Sequence, residues 1–286
     1  MIRQNFNADW TVEKGDGNSR MNSFLGNTQT KTVHLPYDAM IHEARTPDTK
    51  NGAQTGFYPG GEYIFQKHFT APQAWQGKPV SLVFEGVYQT ALVYLNGWLL
   101  TRNVNGYAEF TVEAGPYLKY GADNLLKVIA DNSLEPNSRW YTGSGIYRPV
   151  RLLVGNKVYL PQDTVRITTR EADEGFALLD VTAQVQSAST VTERVTLQQT
   201  ICREGTAVLT DRQNLLLQPG ESRTVSFRYC VDSPALWSPE NPNLYTSTMQ
   251  VLEGEEELDR EETGFGIRTL SIDAAHGVRI NGQTVK

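Results

Sequence analysis

Short runs of alternating apolar and polar residues dominate this sequence, and turn-forming residues interrupt them about every ten positions. Residues 63–69 form one such run, and residues 91–95 and 98–100 flank the pair Asn96-Gly97. Asn-Gly between two strand patterns favours a hairpin, because a type I′ turn needs positive φ at both central positions. Helical periodicity is almost absent. The sequence therefore predicts an all-β protein built from sandwiches.

The length of 286 residues suits two domains, each able to bury its own core. A change of composition near residues 155–161 predicts one domain in residues 1–157 and another in 158–271. The second range contains about seven strand patterns in roughly 110 residues, as an immunoglobulin-like sandwich does. Residues 272–286 begin a hairpin around Asn281-Gly282 and stop in mid-strand. Because a bare strand edge promotes association, we expect the natural sequence to continue.

Charge and hydropathy exclude several classes of partner. The net charge is -6 and no cluster of Lys and Arg forms a basic stripe, which argues against nucleic acid. No apolar run approaches the roughly 18–20 residues that span a bilayer, so no membrane partner is expected. The polar residues Arg3, Gln4 and Asn5 follow close after Met1, which is unlike a signal peptide and leaves the compartment open. The histidines lack metal-ligand spacing, so neither a metal nor a cofactor is expected.

The sequence contains two cysteines, Cys202 and Cys230, and both fall in strand patterns of the second half. One disulfide is therefore open to them. Nothing else in the chain resembles a disulfide scaffold, so we expect two reduced and buried thiols instead.

Residues 131–151 form the segment best suited to contact something outside the protein. They lie between two apolar runs and include Arg139, Trp140 and Tyr141. Gly143 and Gly145 supply backbone angles that bulky residues resist, which favours a loop of one fixed shape. Two interpretations follow. Either these side chains contact a ligand at the rim of a site, or Trp140 and Tyr141 fill the end of a sandwich.

No catalytic set is recognisable. Acid–base catalysis by carboxyl groups needs two of them held face to face, whereas the acidic clusters here lie in predicted turns. The order Gly143-Ser144-Gly145 suggests a nucleophile, but the strand-to-helix context is missing and no histidine lies nearby in the sequence. We therefore predict no catalytic residue.

Several motifs occur in order along the chain: Asn5-Phe6-Asn7 with Trp10, residues 61–69, 82–86, 93–97, 139–149, 234–245, 264–268 and Ile280-Asn281-Gly282. Together they resemble glycoside hydrolase family 2, the family of β-galactosidases, β-glucuronidases and β-mannosidases. The first five are similar to the sugar-binding domain, and the next two to the end of the immunoglobulin-like domain. The last is similar to the hairpin before the first strand of the catalytic barrel.

The resemblance implies a jelly-roll sandwich, then an immunoglobulin-like sandwich, then the start of the barrel in residues 272–286. It implies a retaining mechanism with two barrel glutamates, both beyond Lys286. The implied partners are a carbohydrate substrate, bound through the complete enzyme, and the chain's own catalytic barrel. In the β-galactosidases an aspartate of the closing loop helps to hold a sodium ion and the sugar. This sequence has Arg139 at the matching place, so a direct polar contact to a sugar or to a neighbouring loop is expected instead of that metal site.

Two alternatives remain. In the first alternative, the chain is a free carbohydrate-binding module, for which Trp98, Trp140 and Tyr141 are candidate aromatic platforms. In the second alternative, the chain is a structural scaffold that docks a barrel and builds a homo-oligomer. Saturable binding of a monosaccharide distinguishes them, because a scaffold shows none.

Overall fold

The computed structural model describes residues 1–15, 30–134 and 140–285. These residues form strands, joined by loops and by four single-turn 3₁₀ helices: Met40–His42, Gly52–Thr55, Gln73–Trp75 and Gly115–Tyr117. The prediction of an all-β protein is confirmed. In the described ranges, no helix is long and apolar enough to cross a membrane. The chain divides into two compact units, Ile2–Val154 and the residues from Gly155 onward.

The first unit is a sandwich of two antiparallel sheets. Its strands are β1 (Ile2–Asn5), β2 (Trp10–Lys14), β3 (Lys31–Val33), β4 (Gly61–Thr70), β5 (Val80–Phe84), β6 (Thr90–Leu95), β7 (Trp98–Asn103), β8 (Phe110–Glu113), β9 (Asp123–Asn132) and β10 (Val150–Val154). One sheet has the order β1-β10-β5-β8 and the other the order β3-β2-β4-β9-β6-β7. The strand order fits the jelly-roll domain that the resemblance implied.

The alternating pattern of each strand places one set of side chains in the core between the sheets. Leu82 and Phe84 of β5 pack in one cluster with Phe65 of β4 and Val128 of β9. Trp10 is fully buried there, and its indole Nε1–H donates to the carbonyl of Phe6 at 2.8 Å. Each such side chain contributes roughly 1.5–3 kcal/mol through burial.

The second unit contains two more sheets that enclose a core of their own, followed by a small hairpin sheet. Its strands are β11 (Val158–Tyr159), β12 (Arg166–Ala172), β13 (Phe176–Ser187), β14 (Glu193–Arg203), β15 (Thr206–Leu217), β16 (Ser222–Asp232), β17 (Tyr245–Glu253), β18 (Glu256–Phe265), β19 (Leu270–Asp273), β20 (Gly277–Ile280) and β21 (Gln283–Thr284). β13 pairs with β11, β12 and β16, while the second sheet has the order β15-β14-β17-β18. This arrangement fits the predicted immunoglobulin-like sandwich.

The residues after Gly155 are built into the second unit. Val158 and Leu160 are fully buried in its core, and β11 pairs with the end of β13. Lys157 forms ion pairs with Glu193 at 3.0 Å and Glu253 at 2.7 Å. The division lies between Val154 and Gly155. The assignment of separate domains to residues 1–157, 158–271 and 272–286 stays a prediction.

Both cysteines are free thiols, but their burial differs. Cys202 is half-buried and Cys230 is exposed. In β16 the side chains of Tyr229 and Val231 point into the core, so Cys230 between them faces outward. The prediction of two buried thiols is therefore wrong for Cys230.

The last three strands form a small sheet attached to the second unit. Asn281 holds it there, because its side-chain Nδ2 donates to the carbonyl of Trp237 and its Oδ1 accepts from the amide of Thr269, both at 3.0 Å. Asn281 and Gly282 have φ values of 51° and 77°, as a type I′ turn requires. Trp237 is half-buried, and the guanidinium of Arg268 lies 4.3 Å from its ring centroid.

Candidate functional site

The candidate site lies at one end of the first unit. β9 ends there at Asn132, and β4 and β6 begin there at Gly61 and Thr90, since these residues are register neighbours in the antiparallel sheet. The loops that connect the strands at this end are residues 36–60, 104–109 and the closing segment. We use the name closing segment for the described residues 140–149.

Asp38 joins the closing segment to the loop of residues 36–60. Its Oδ2 accepts a hydrogen bond from the Tyr141 hydroxyl at 2.5 Å. Its Oδ1 accepts from the backbone amides of Ser144 at 2.9 Å and Met40 at 3.1 Å. Hydrogen bonds to a charged acceptor contribute roughly 1.5–3 kcal/mol each. One carboxylate therefore fixes the position of both loops.

Backbone pairing reinforces this junction. The amide of Ala39 donates to the carbonyl of Ser144, and that of Tyr37 donates to the carbonyl of Ile146, each at 2.8 Å. On the other side, Gly145 and Tyr88 exchange two hydrogen bonds of 3.0 Å. Gly145 has φ of 135°, a backbone angle that a residue with a side chain resists, as predicted from the sequence for the glycines of this segment.

Tyr141 is half-buried, and its ring packs edge-on against Tyr58 with a centroid distance of 5.2 Å. Burial raises the pKa of Tyr141, and the hydrogen bond to Asp38 raises it further. The phenol is therefore neutral at ordinary pH and serves as the donor in its bond to Asp38.

Trp140, by contrast, is 62% exposed. Of the two interpretations of this segment, the one in which Trp140 fills the end of the sandwich is wrong, because most of its side chain is exposed. Tyr141 does pack against the core, so the structure separates two neighbours that the sequence pattern grouped together. Arg139 lies outside the described residues.

Other aromatic side chains line the same end of the unit. Tyr88 and Tyr107 pack edge-on at 5.3 Å, and Tyr107 is exposed. The Tyr147 hydroxyl donates to the carbonyl of Gly106 at 2.8 Å, which ties the closing segment to a third loop. The side-chain oxygen of Gln89 is buried and accepts no hydrogen bond from any described residue.

Trp98 lies at the opposite end of β6, next to the turn at Asn96-Gly97. It is 66% exposed, and its ring lies 6.5 Å from that of Tyr117. The three aromatic candidates from the sequence are therefore not brought together: Trp140 and Tyr141 share one end of the sandwich, while Trp98 is at the other.

Sequence reasoning missed Asp38, Arg45 and Phe57, which the structure places beside Tyr141 or beside its partner Tyr58. Asp38 fell at the end of a short strand pattern, and Phe57 in a loop recognised by its glycines. Within the described ranges, no group of three or more His, Cys, Asp or Glu side chains is arranged to hold a metal ion.

Comparison with known proteins identifies the family. A family model described as the galactose-binding domain-like domain of glycosyl hydrolase 2 matches residues 10–177. This chain belongs to glycosyl hydrolase family 2. A second model, described as glycosyl hydrolases family 2, matches residues 158–268. The family to which the sequence motifs pointed is thus confirmed.

Relatives within glycosyl hydrolase family 2 match nearly the whole chain. The β-galactosidase BoGH2A of Bacteroides ovatus is 34% identical over 99% of this chain, which corresponds to 34% of its own length. A β-glucuronidase of Formosa agariphila is 26% identical over 99% of this chain and 31% of its own length. The crystal structure of a family 2 member from Bacteroides cellulosilyticus superposes with a TM-score of 0.91 at 29% identity, covering 100% of this chain and 38% of that protein.

The chain therefore spans about a third of the length of the relatives it matches. One relative is named a β-galactosidase and another a β-glucuronidase, so the names specify different sugars. The match places this chain in the family without selecting a substrate.

Proposed function

We propose that this chain is the non-catalytic N-terminal portion of a retaining β-glycosidase that acts on O-glycosidic bonds of carbohydrates. In this proposal a catalytic barrel supplies both glutamates. The closing segment forms part of the rim of its active site, and residues 272–286 lead into the barrel. The observation that carries the proposal is the match of almost the whole chain to about a third of each family 2 relative.

The hydrogen bonds of Asp38 and Glu43 favour a structural role for these two carboxylates over a catalytic one. Retaining hydrolysis requires two carboxyl groups about 5–5.5 Å apart, one of them free to transfer a proton. Asp38 accepts three hydrogen bonds from the two loops, and Glu43 accepts from Tyr63 and pairs with Lys14. Because both carboxylates already accept hydrogen bonds or ion pairs from neighbouring groups, they stabilise the fold and neither is free to transfer a proton.

The small sheet of β19–β21 supports a docking role toward the barrel. Leu270 lies opposite Ile280 in register, and Ile272 lies opposite Val278, so the four side chains share one face. Ile272 is 71% exposed, whereas Asp273 and Arg279 form an ion pair at 2.5 Å on the other face. An apolar face of this kind marks an interaction surface. Its proposed occupant is the catalytic barrel, for which the relatives' additional length provides room.

We expect the chain of 286 residues to hydrolyse no aryl β-glycoside above the uncatalysed rate, because the proposal places both catalytic glutamates in the barrel. The measurement is release of nitrophenol from galactoside, glucuronide and mannoside substrates, with the complete enzyme as the positive control. Turnover by the chain alone that disappears on replacing one of its own glutamates contradicts the proposal.

The exposed indole of Trp140 is proposed to stack on a sugar ring at the rim. Trp140→Ala is expected to lower kcat/KM of the complete enzyme by about tenfold, equivalent to about 1.4 kcal/mol. The melting temperature should hardly change, since an exposed side chain typically contributes less than about 0.5 kcal/mol to stability.

Trp98→Ala is the matched control, because Trp98 is as exposed as Trp140 but lies at the other end of the sandwich. Its kcat/KM should equal that of the wild type. Equal kinetic losses in both variants, or none in either, would remove Trp140 from the site. Arg139→Ala is expected to behave as Trp140→Ala does; the role of Arg139 as a donor to sugar hydroxyls stays a prediction.

A further inference from the structure

The loop between Glu43 and Gly60 holds a bulky residue in a conformation that favours glycine. Phe57 has φ of 66°, and two backbone hydrogen bonds fix it: its amide donates to the carbonyl of Gly52 at 2.8 Å, and its carbonyl accepts from Thr46 at 3.0 Å. Positive φ in an aromatic residue is a true outlier. Such strain persists only where the surrounding structure enforces it, and it concentrates at binding sites.

The same loop uses glycine at its other positions of positive φ, namely Gly52, Gly56 and Gly60. A glycine at position 57 would remove the strain without altering the path of the chain. The phenylalanine ring is 37% exposed, so it does not belong to the buried core. Its presence at this position therefore has to be explained by what its ring contacts.

The ring of Phe57 contacts Arg45. The guanidinium carbon of Arg45 lies 5.9 Å from the Phe57 ring centroid and 5.8 Å from that of Tyr58. Its Nε–H donates to the carbonyl of Gly56 at 2.9 Å. At these distances the face of each ring attracts the cation. Arg45 is thus held at three points although its side chain is exposed.

The two terminal amino groups of Arg45 donate to no acceptor among residues 1–15, 30–134 and 140–285. Within the described part of the chain, no carboxylate lies within ion-pair distance of this guanidinium, and its Nε–H makes the hydrogen bond to Gly56. The neighbouring carboxylates of Asp38 and Glu43 are occupied by their own donors. A planar pair of N–H donors on an immobilised guanidinium suits a carboxylate or sulfate, which it binds through two parallel hydrogen bonds.

This cation is continuous with the candidate site. Tyr58, over which Arg45 lies, packs against Tyr141 at 5.2 Å, and Tyr141 donates to Asp38. We propose that Arg45, Phe57 and Tyr58 form an accessory subsite for a negatively charged sugar residue, bound through its carboxylate or sulfate group. The inference rests on the proposed function, since it extends the same rim to a further residue of a carbohydrate chain.

Direct binding to the chain of 286 residues tests the subsite without any catalytic step. The probes are methyl β-glucuronide, methyl β-glucoside 6-sulfate and the neutral methyl β-glucoside, each titrated while the amide resonances of residues 45–58 are followed by NMR. We expect at least one anionic probe to bind about tenfold more tightly than the neutral one, with the preference falling as ionic strength rises. The two anionic probes distinguish a carboxylate from a sulfate.

Arg45→Gln is expected to abolish the preference for the anion. Arg194→Gln, at an exposed arginine of β14 in the second unit, should leave it unchanged. Phe57→Gly should bind the anion more weakly while keeping or raising the melting temperature, because glycine adopts positive φ without strain. A purely structural role of the ring predicts the reverse, a loss of stability without a change in affinity.

Equal affinity for charged and neutral probes, an anion preference that survives Arg45→Gln, or no saturable binding of either anionic probe would each overturn the inference. None of these outcomes bears on hydrolysis by the complete enzyme. The failure of this subsite is therefore distinguishable from the failure of the proposed function.

Discussion

Replacing Asp38 with alanine is expected to destabilise the first unit by about 3 kcal/mol. The substitution removes the acceptor of two backbone amides, those of Ser144 and Met40, and of the Tyr141 hydroxyl. A buried donor that loses its acceptor destabilises the folded state by roughly 1–3 kcal/mol. The three losses are not additive, because Asp38 is half-buried and water can accept some of the hydrogen bonds that the carboxylate accepted.

Urea denaturation provides the global measurement, and hydrogen exchange at the Ser144 amide provides the local one. Exchange of this amide should accelerate in Asp38→Ala more than exchange in β13, which belongs to the other unit. Asp48→Ala is the matched control, since Asp48 lies in the same loop and its exposed side chain makes no hydrogen bond to any described residue. The control should differ from the wild type by less than about 0.5 kcal/mol.

Tyr141→Phe separates the contributions within this junction. It removes a single hydrogen bond and leaves both backbone amides on Asp38, so a loss of about 1–2 kcal/mol is expected. If Asp38→Ala proves no more harmful than Asp48→Ala, the two loops are held together by backbone pairing alone, and Asp38 has no structural role.

The sequence predicts what depends on local pattern. Alternation revealed the strands, and Asn-Gly pairs located turns whose positive φ values the structure confirms at Asn96 and Gly97. The same alternation would have placed Cys230 correctly, since it stands between two apolar residues of β16 that face the core. Burial of single strand residues is therefore predictable once the register of the strand is considered.

The candidate site was only half predictable, because its main contacts are long-range. Asp38 and Tyr141 are 103 residues apart, and Asp38 and Ser144 are 106 apart, so no periodicity connects them. The positive φ of Phe57 was not predictable for a different reason. A glycine in a sequence indicates a position of positive φ, whereas a phenylalanine does not. The contrast between exposed Trp140 and half-buried Tyr141 also depends on Tyr58, which belongs to another loop.

Gly145→Ala is expected to be the most damaging single substitution in the closing segment, at about 3–5 kcal/mol. A φ of 135° lies in a region that residues with a Cβ avoid, and this alone costs roughly 1–3 kcal/mol. A Cβ at this position would also lie 2.7 Å from the carbonyl oxygen of Tyr37 and 3.0 Å from the Phe65 ring. Crowding of this kind typically adds roughly 1–3 kcal/mol.

The surroundings of Gly145 have little freedom to relax. The backbone amide of Tyr37 donates a hydrogen bond to the carbonyl of Ile146, and Phe65 is fully buried in the core. Gly145 itself exchanges two hydrogen bonds with Tyr88. Gly97→Ala is the matched control, since Gly97 has φ of 90° but no atom within 4 Å of the added Cβ. It should lose only the conformational part, about 1–2 kcal/mol. Equal midpoints of urea denaturation for the two variants would mean that the closing segment shifts to accept the methyl group. In that case the closing segment would not have one fixed conformation, and it would not hold Trp140 and Tyr141 in fixed positions.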